Sequence, residues 1–235
     1  LKYNIIFMSS VINNYFDNVN IKWNNNPFPH AVIDNFFSKE DLNFVNSKLD
    51  YIQETKNFES ISDTDKIRKR ILKKDLHDFD KKPDERFAKY FKLLDSLDIK
   101  NDPEKDYTSE YAYFFRVKKL VENYPVHTEN IYKAISLVVY LSEEENFGTE
   151  LYDNNKNFVK EVEWKYNRAF VMSGFNNQKG KLSGNSTWHT YKTKPGTLRR
   201  TFFGYTTCSI KSIKEHSLYQ DYYVDGWGNK AIKLQ

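Results

Sequence analysis

Cysteine is nearly missing from the 235-residue chain, where Cys208 stands alone. A lone thiol excludes an internal disulfide framework, so the fold must be held by packing, and the expected setting is a reducing one such as the cytoplasm. In the run FGYTTCSI this residue reads as a small buried strand side chain. Glycine and proline are sparse as well, and no stretch rich in either divides the chain. With no internal repeat, residues 1–235 read as a single domain. Long apolar runs are also missing. Nothing approaches the roughly 20 residues of a membrane helix, and the opening LKYNIIFMSSVINNYF is too short and too Asn-interrupted for a good signal peptide, with Met8 a candidate start. Charge of one sign is missing too: 36 basic residues against 32 acidic ones leave only +4, spread along the chain, which is too weak a bias to argue for nucleic acid. No glycine-rich phosphate loop and no alternation of strands with helices appears, which counts against a doubly wound nucleotide-binding fold.

What is plentiful is aromatic. Eighteen Phe, 17 Tyr and 4 Trp give a chain of this length ample bulk for a core. HAVIDNFF (30–37) reads as a short strand, and Ser38 behind it is a good N-cap with Asp41 at the capping-box position. Phe37 and Leu42 can form a hydrophobic staple, and Leu42, Val45, Leu49 and Ile52 make one apolar stripe at helical spacing. Pro83 can open a second helix with Phe87, Phe91, Leu94 and Leu97 on one face. Residues 54–82 are charged and ambiguous. From Tyr107 the texture turns to short segments rich in β-branched and aromatic residues, EYAYFFRV, AISLVVYL, TELYD, NRAFVMSG and RRTFFGYTT, parted by polar loops such as SEEENFG and FNNQKGKLSGNS. The expected fold is mainly β with flanking helices: an antiparallel sandwich or barrel over about 107–210, with a strand and helices over about 28–100 packed outside it.

Two fragments carry chemistry, YPVHTEN and STWHTYKTKPGTLRR. In an extended strand residues two apart share a side, so His127 and Glu129 could grip one cation. Alone the pair is a weak signal, as readily solvent-facing as functional. His189 follows 62 residues later and Arg199 ten residues beyond it. Two histidines and a carboxylate with open positions form the facial triad of non-haem Fe(II) oxygenases, and a guanidinium suits a dicarboxylate cosubstrate. Adjacent strand residues point opposite ways, so one of Arg199 and Arg200 must face inward, and a buried arginine needs an anion.

With these pieces in order, the chain from Glu110 to Thr207 resembles the Fe(II)/2-oxoglutarate-dependent oxygenases, within the prolyl-4-hydroxylase-like group. The resemblance is carried by HTENIYKAISLVVYLSEEENFGTELYD, by the Asn-Arg opening of NRAFVMSG, and by TWHTYKTKPGTLRRTFFGYTT, with HAVIDNFFSKEDLNFV similar to the usual lead-in. It implies a double-stranded β-helix, a jelly-roll (cupin-like) barrel with the site in its mouth. His127, Glu129 and His189 would be the Fe(II) ligands. Arg199 would anchor the distal carboxylate of 2-oxoglutarate, with Arg200 as second choice. Tyr140 either assists that carboxylate or packs in the core, Tyr113 and Arg116 either line the pocket or pack, and Trp188 fixes its neighbour by packing. Glu129 stands where the family usually has Asp. Related halogenases lose the acid altogether, so a retained carboxylate points to hydroxylation.

The implied reaction is hydroxylation of an unactivated C–H bond by O2 and 2-oxoglutarate, with release of succinate and CO2. The first substrate suggested is a prolyl or other amino-acid side chain, so the partner is a peptide or a small molecule. The nucleic-acid dealkylating branch carries a second arginine six residues after the anchor. Here that residue is Tyr205, and no nucleic-acid partner is expected. The alternatives are a non-catalytic jelly-roll binding module in which the histidines are incidental, and a partner-docking surface formed by the charged first hundred residues.

Overall fold

A computed structural model describes residues 20–55, 85–96, 110–118, 125–129, 133–173, 187–207, 223–224 and 231–232. Pro83, Leu97, Cys208, the charged stretch 56–82 and the loop 175–186 lie outside them. The strands are β1 (Asn20–Asn24), β2 (His30–Asp34), β3 (Glu110–Lys118), β4 (Lys133–Tyr140), β5 (Thr149–Tyr152), β6 (Phe158–Val162), β7 (Arg168–Ser173), β8 (His189–Tyr191), β9 (Arg199–Thr207), β10 (Tyr223–Val224) and β11 (Ala231–Ile232). The helices are α1 (Lys39–Thr55) and α2 (Glu85–Ser96).

Six strands form one antiparallel sheet in the order β1-β2-β7-β4-β9-β3, and β6-β5-β8 form a second. β10 and β11 pair as a separate ribbon. Non-consecutive neighbours such as β7-β4-β9 mean that chain connections cross between the sheets, as a jelly roll requires. The strands at 30–34, 110–118, 133–140, 149–152, 168–173 and 199–207 fall where β-branched and aromatic residues cluster. β1, β6 and β8 are strands that the sequence pattern leaves unmarked: NIKWN and FVKEV are polar at alternate or neighbouring positions, and HTY is three residues long.

Period-two alternation splits the large sheet into two faces. One face, with Ile135, Leu137, Val139, Ala169, Val171, Phe115 and Phe202, is covered by Val45 and Leu49 of α1 and by Phe87, Phe91 and Leu94 of α2. The stripe 42–45–49–52 therefore does what its spacing predicts, and Leu42 and Ile52 pack at its rim. Ser38 caps α1: its Oγ accepts from the Asp41 amide at 3.2 Å and donates to Asp41 Oδ2 at 2.8 Å, while its own amide, which a full capping box would give to the acid, donates to the Tyr90 hydroxyl at 3.0 Å. The Tyr90 hydroxyl of α2 donates to that carboxylate at 2.6 Å, tying the two helices through one buried acid. Gly204 lets α2 lie close to the sheet, because a Cβ would meet Phe91 Cζ at 2.7 Å and push that ring away.

The other face looks across at the small sheet. Phe28, Val32, Tyr140, Phe170 and Met172 meet Leu151 and Val162 there. Asn167 enters β7 with φ 56°, a conformation Asn tolerates, and its side chain both accepts from the Phe37 amide and donates to its carbonyl at 2.9 Å. Arg168 beside it forks onto Asp34 at 2.6 and 3.2 Å. The guanidinium holds the Asp34 carboxyl below its usual range, ahead of the opposing effect of burial. The Asn-Arg opening of this strand is thus a local clamp between β2 and β7.

Candidate active site

His127 is placed by backbone pairing. It forms a single bridge with His189 at the start of β8, the amide of each donating to the carbonyl of the other at 3.0 and 2.9 Å. Residues paired in this way put their side chains on one face, and the two imidazoles stand with centroids 4.3 Å apart. Glu129, two residues on from His127, lies on the same side, its Oε1 3.8 Å from His189 Nε2. The three side chains nominated from sequence therefore converge. Among the described residues, no group of three His, Cys, Asp or Glu side chains is already arranged as a metal site. The Lys133 ammonium is seated on the other carboxylate oxygen of Glu129, Oε2.

The donor set nevertheless suits a divalent metal. His127 Nδ1 faces the Pro125 carbonyl at 2.9 Å and His189 Nδ1 faces that of Thr187 at 2.8 Å. A carbonyl can only accept, so each Nδ1 carries the hydrogen and each neutral ring keeps its lone pair on Nε2, the orientation that second-shell bonds impose on metal-ligating histidines. Both rings are held neutral. Burial lowers His127 to about 3, aided by the neighbouring imidazole, and burial lowers His189 as well. Glu129 stays ionised. Burial opposes its charge, but the Lys133 ammonium, joined by the two imidazoles only at the low pH where they are protonated, outweighs that and brings it to about 2. A bare imidazole nitrogen facing a carboxylate oxygen at 3.8 Å, with no proton to share, is an arrangement that a cation completes.

β9 sends its two arginines to opposite faces. Arg200 turns to the helix side and donates to Asp50 Oδ1 at 2.7 Å and to the Asn46 carbonyl at 3.1 Å. Arg199 turns inward and is 3% exposed. Its guanidinium lies 4.7 Å from the ring centres of Trp164 and Tyr191 and 5.5 Å from that of Tyr140, and it donates to the carbonyls of Phe147 and Lys192. Among the described residues no carboxylate comes within ion-pair distance of it. Burial lowers its pKa to about 10, so it remains a cation in an aromatic box. Gly148 lets the wall close in: a Cβ there would lie 1.8 Å from the Val162 carbonyl oxygen.

Tyr140 is wholly buried, stacked on Trp164 at 4.5 Å, with its hydroxyl 2.7 Å from Thr149 Oγ1. It is at once a packing residue and a neighbour of Arg199. Burial raises its phenol to about 12. Tyr113 does not line the site. It faces the helices and stacks on Phe202 at 5.4 Å, since odd-numbered residues of β3 point outward. Arg116 points inward, 4.9 Å from the ring of Phe114. Trp188 is buried beside His189, with the Lys156 ammonium 4.2 Å from its ring.

Sequence reading missed Lys133, Thr149, Trp164, Tyr191 and Phe203. Strand alternation could have found Tyr191, two residues after His189, and Phe203, four after Arg199. No local signal marks Lys133 or Trp164.

No family model matches the chain, and no curated protein matches it. Similar solved structures exist. A Pseudomonas putida prolyl-4-hydroxylase is 13% identical over 85% of this chain and 98% of its own, with a TM-score of 0.45. A prolyl 4-hydroxylase from Phytophthora capsici is 12% identical over 83% and 62%, with a TM-score of 0.48. A viral collagen prolyl hydroxylase from Paramecium Bursaria Chlorella virus-1 is 13% identical over 77% and 90%, with a TM-score of 0.46. Among the described residues no helix is long and apolar enough to cross a membrane.

Proposed function

We propose that the protein is an Fe(II)- and 2-oxoglutarate-dependent dioxygenase that hydroxylates an unactivated C–H bond, a prolyl or other amino-acid side chain being the substrate class suggested by resemblance. One observation carries the reading: two neutral imidazoles and a carboxylate converge in the barrel interior that also holds a buried guanidinium with no carboxylate partner among the described residues. In this reading His127, Glu129 and His189 hold the iron, and Arg199 takes the distal carboxylate of 2-oxoglutarate. Bound there, iron and 2-oxoglutarate would supply, with O2, an oxidant strong enough for a C–H bond, at the cost of the cosubstrate's carboxyl as CO2.

The chain's own part is positional. Carbonyls of Pro125 and Thr187 fix which imidazole nitrogen is offered to the metal. Arg199 is oriented by two backbone carbonyls before any anion arrives, so little ordering remains to be done on binding. Trp164, Tyr140 and Tyr191 keep water from the guanidinium, which strengthens its pull on a carboxylate. Thr149 holds the Tyr140 hydroxyl beside it. Lys133 pairs with Glu129 and balances its charge.

That last contact also favours a second reading, a non-catalytic jelly-roll binding module, because a salt bridge to Lys133 is by itself a sufficient use for a buried Glu129. Substrate-free conversion of 2-oxoglutarate to succinate, measured on wild type and His127→Ala, separates the two. Iron-dependent turnover lost in the variant supports the oxygenase, and its absence from wild type supports the module.

A further inference from the structure

Arg116 is the inward cation that the proposed reaction does not use. β3 pairs with β9 so that Arg116 lies opposite Thr201. Phe115 and Val117 turn to the helix-covered core, while Arg116 turns inward, its guanidinium 4.9 Å from the Phe114 ring and 5.8 Å from that of Phe203. It hydrogen-bonds the Tyr191 hydroxyl, and its Nε is buried with no hydrogen-bond partner among the described residues. Tyr191 shares a face of β8 with His189, two residues away. Arg199 lies against the ring of the same tyrosine, so the two guanidiniums address different parts of it. Lys133 also meets the Phe203 ring, 4.5 Å from its centre, and is paired with Glu129.

Charge then decides what is missing. Arg116, Lys133 and Arg199 all lie against rings of the interior face, and among the described residues Glu129 is the one carboxylate within ion-pair distance of any of them. A divalent metal and a doubly ionised 2-oxoglutarate cancel each other, and with Lys133 on Glu129 and Arg199 assigned to the cosubstrate, Arg116 is the guanidinium left without a carboxylate within ion-pair distance among the described residues. A half-buried guanidinium whose Nε is buried and unbonded is best satisfied by an anion, and the ligand left to supply one is the substrate. The geometry points to Arg116 as a specificity-determining residue that binds a carboxylate of the substrate itself, so that the compound hydroxylated is an acid rather than a neutral prolyl peptide; this deepens, and rests on, the oxygenase reading above.

The test uses the full chain held without oxygen. Fe(II) and then 2-oxoglutarate are titrated first. If either fails to bind, the oxygenase reading falls and this inference falls with it, an outcome distinct from failure of the inference alone. The loaded protein is next titrated calorimetrically with free L-amino acids, with their amides, with Asp- and Glu-containing peptides amidated at the C-terminus, and with a neutral prolyl peptide. At least one acid is expected to bind, with its amide about tenfold weaker or worse. The free-acid and peptide arms separate an α-carboxylate from a side-chain carboxylate. Arg116→Gln is expected to lose the same factor for the acid while changing 2-oxoglutarate affinity by less than about threefold, with Arg116→Lys intermediate because it keeps charge without the planar fork. The inference is overturned if no acid binds, if amides or the prolyl peptide bind as well as acids, or if Arg116→Gln weakens 2-oxoglutarate as much as the acid. The acid-against-amide comparison on wild type stands even if a variant does not fold.

Discussion

The two faces of the six-stranded sheet are built from the same strands and share almost nothing else. On the helix-covered face, Phe87, Phe115 and Phe202 pack edge to face or tilted with ring centres 5.1 to 6.3 Å apart, among Phe91 and aliphatic neighbours. On the interior face the rings surround charges: Arg199 among Trp164, Tyr191 and Tyr140, Lys133 over Phe203 and Tyr205, and Arg116 over Phe114. Aromatic residues hold the fold on one side and desolvate cations on the other. In β9 the division runs residue by residue, with Arg199 and Phe203 inward and Arg200 and Phe202 outward.

Substitutions at neighbouring positions sharpen this contrast. The largest effect is expected at Phe202→Ala, which empties a wholly buried position and costs about 3–5 kcal/mol in urea-unfolding free energy. Phe203→Ala is expected to cost less stability and to weaken ligand binding instead; equal losses from the two would erase the distinction between the faces.

Acidification comes next. His30 lies on the interior side, fully buried, and burial lowers it to about 4. The unfolded chain takes up a proton near the ordinary value of 6.5 while the folded one does not, so His30 contributes stability above pH 6.5 that is lost as the pH falls towards 4. The loss is up to about 1.4 kcal/mol per pH unit. A pH series of unfolding midpoints on wild type and His30→Gln measures it, and parallel curves would remove His30 from the account.

Arg199→Ala is expected to raise the 2-oxoglutarate requirement about 10- to 100-fold while iron affinity stays near normal. Its neighbour gives the smallest effect. Arg200→Ala breaks a half-exposed bridge to Asp50 worth about 0–1 kcal/mol and is expected to leave 2-oxoglutarate untouched. If Arg200→Ala carries the cosubstrate effect, the inward and outward assignments are reversed.

Much of this was legible in the chain because alternation and helical spacing are strong local signals. The stripe from Leu42 to Ile52, the Ser38 cap and the long strands around Leu137, Val171 and Phe203 follow from residue types alone. Convergence of His127 with His189 was not deducible from spacing, since a single backbone bridge joins positions 62 residues apart. Strand parity required that one of the two arginines face inward but not which. The choice is fixed by Phe202, which must reach the helices and thereby sets the register of β9. Lys133 was invisible because its role depends on a bulge between Lys133 and Ile135, where strand parity is interrupted.

The central claim is that three side chains share one ferrous ion. Anaerobic calorimetric titration of Fe(II) into wild type, His127→Ala, Glu129→Ala and His189→Ala tests it most directly. The account predicts one tight equivalent in wild type and a loss exceeding about 100-fold in each variant, since even outer-shell changes cost 10- to 100-fold. Wild type that binds no iron, or variants that bind it as tightly as wild type, would contradict it.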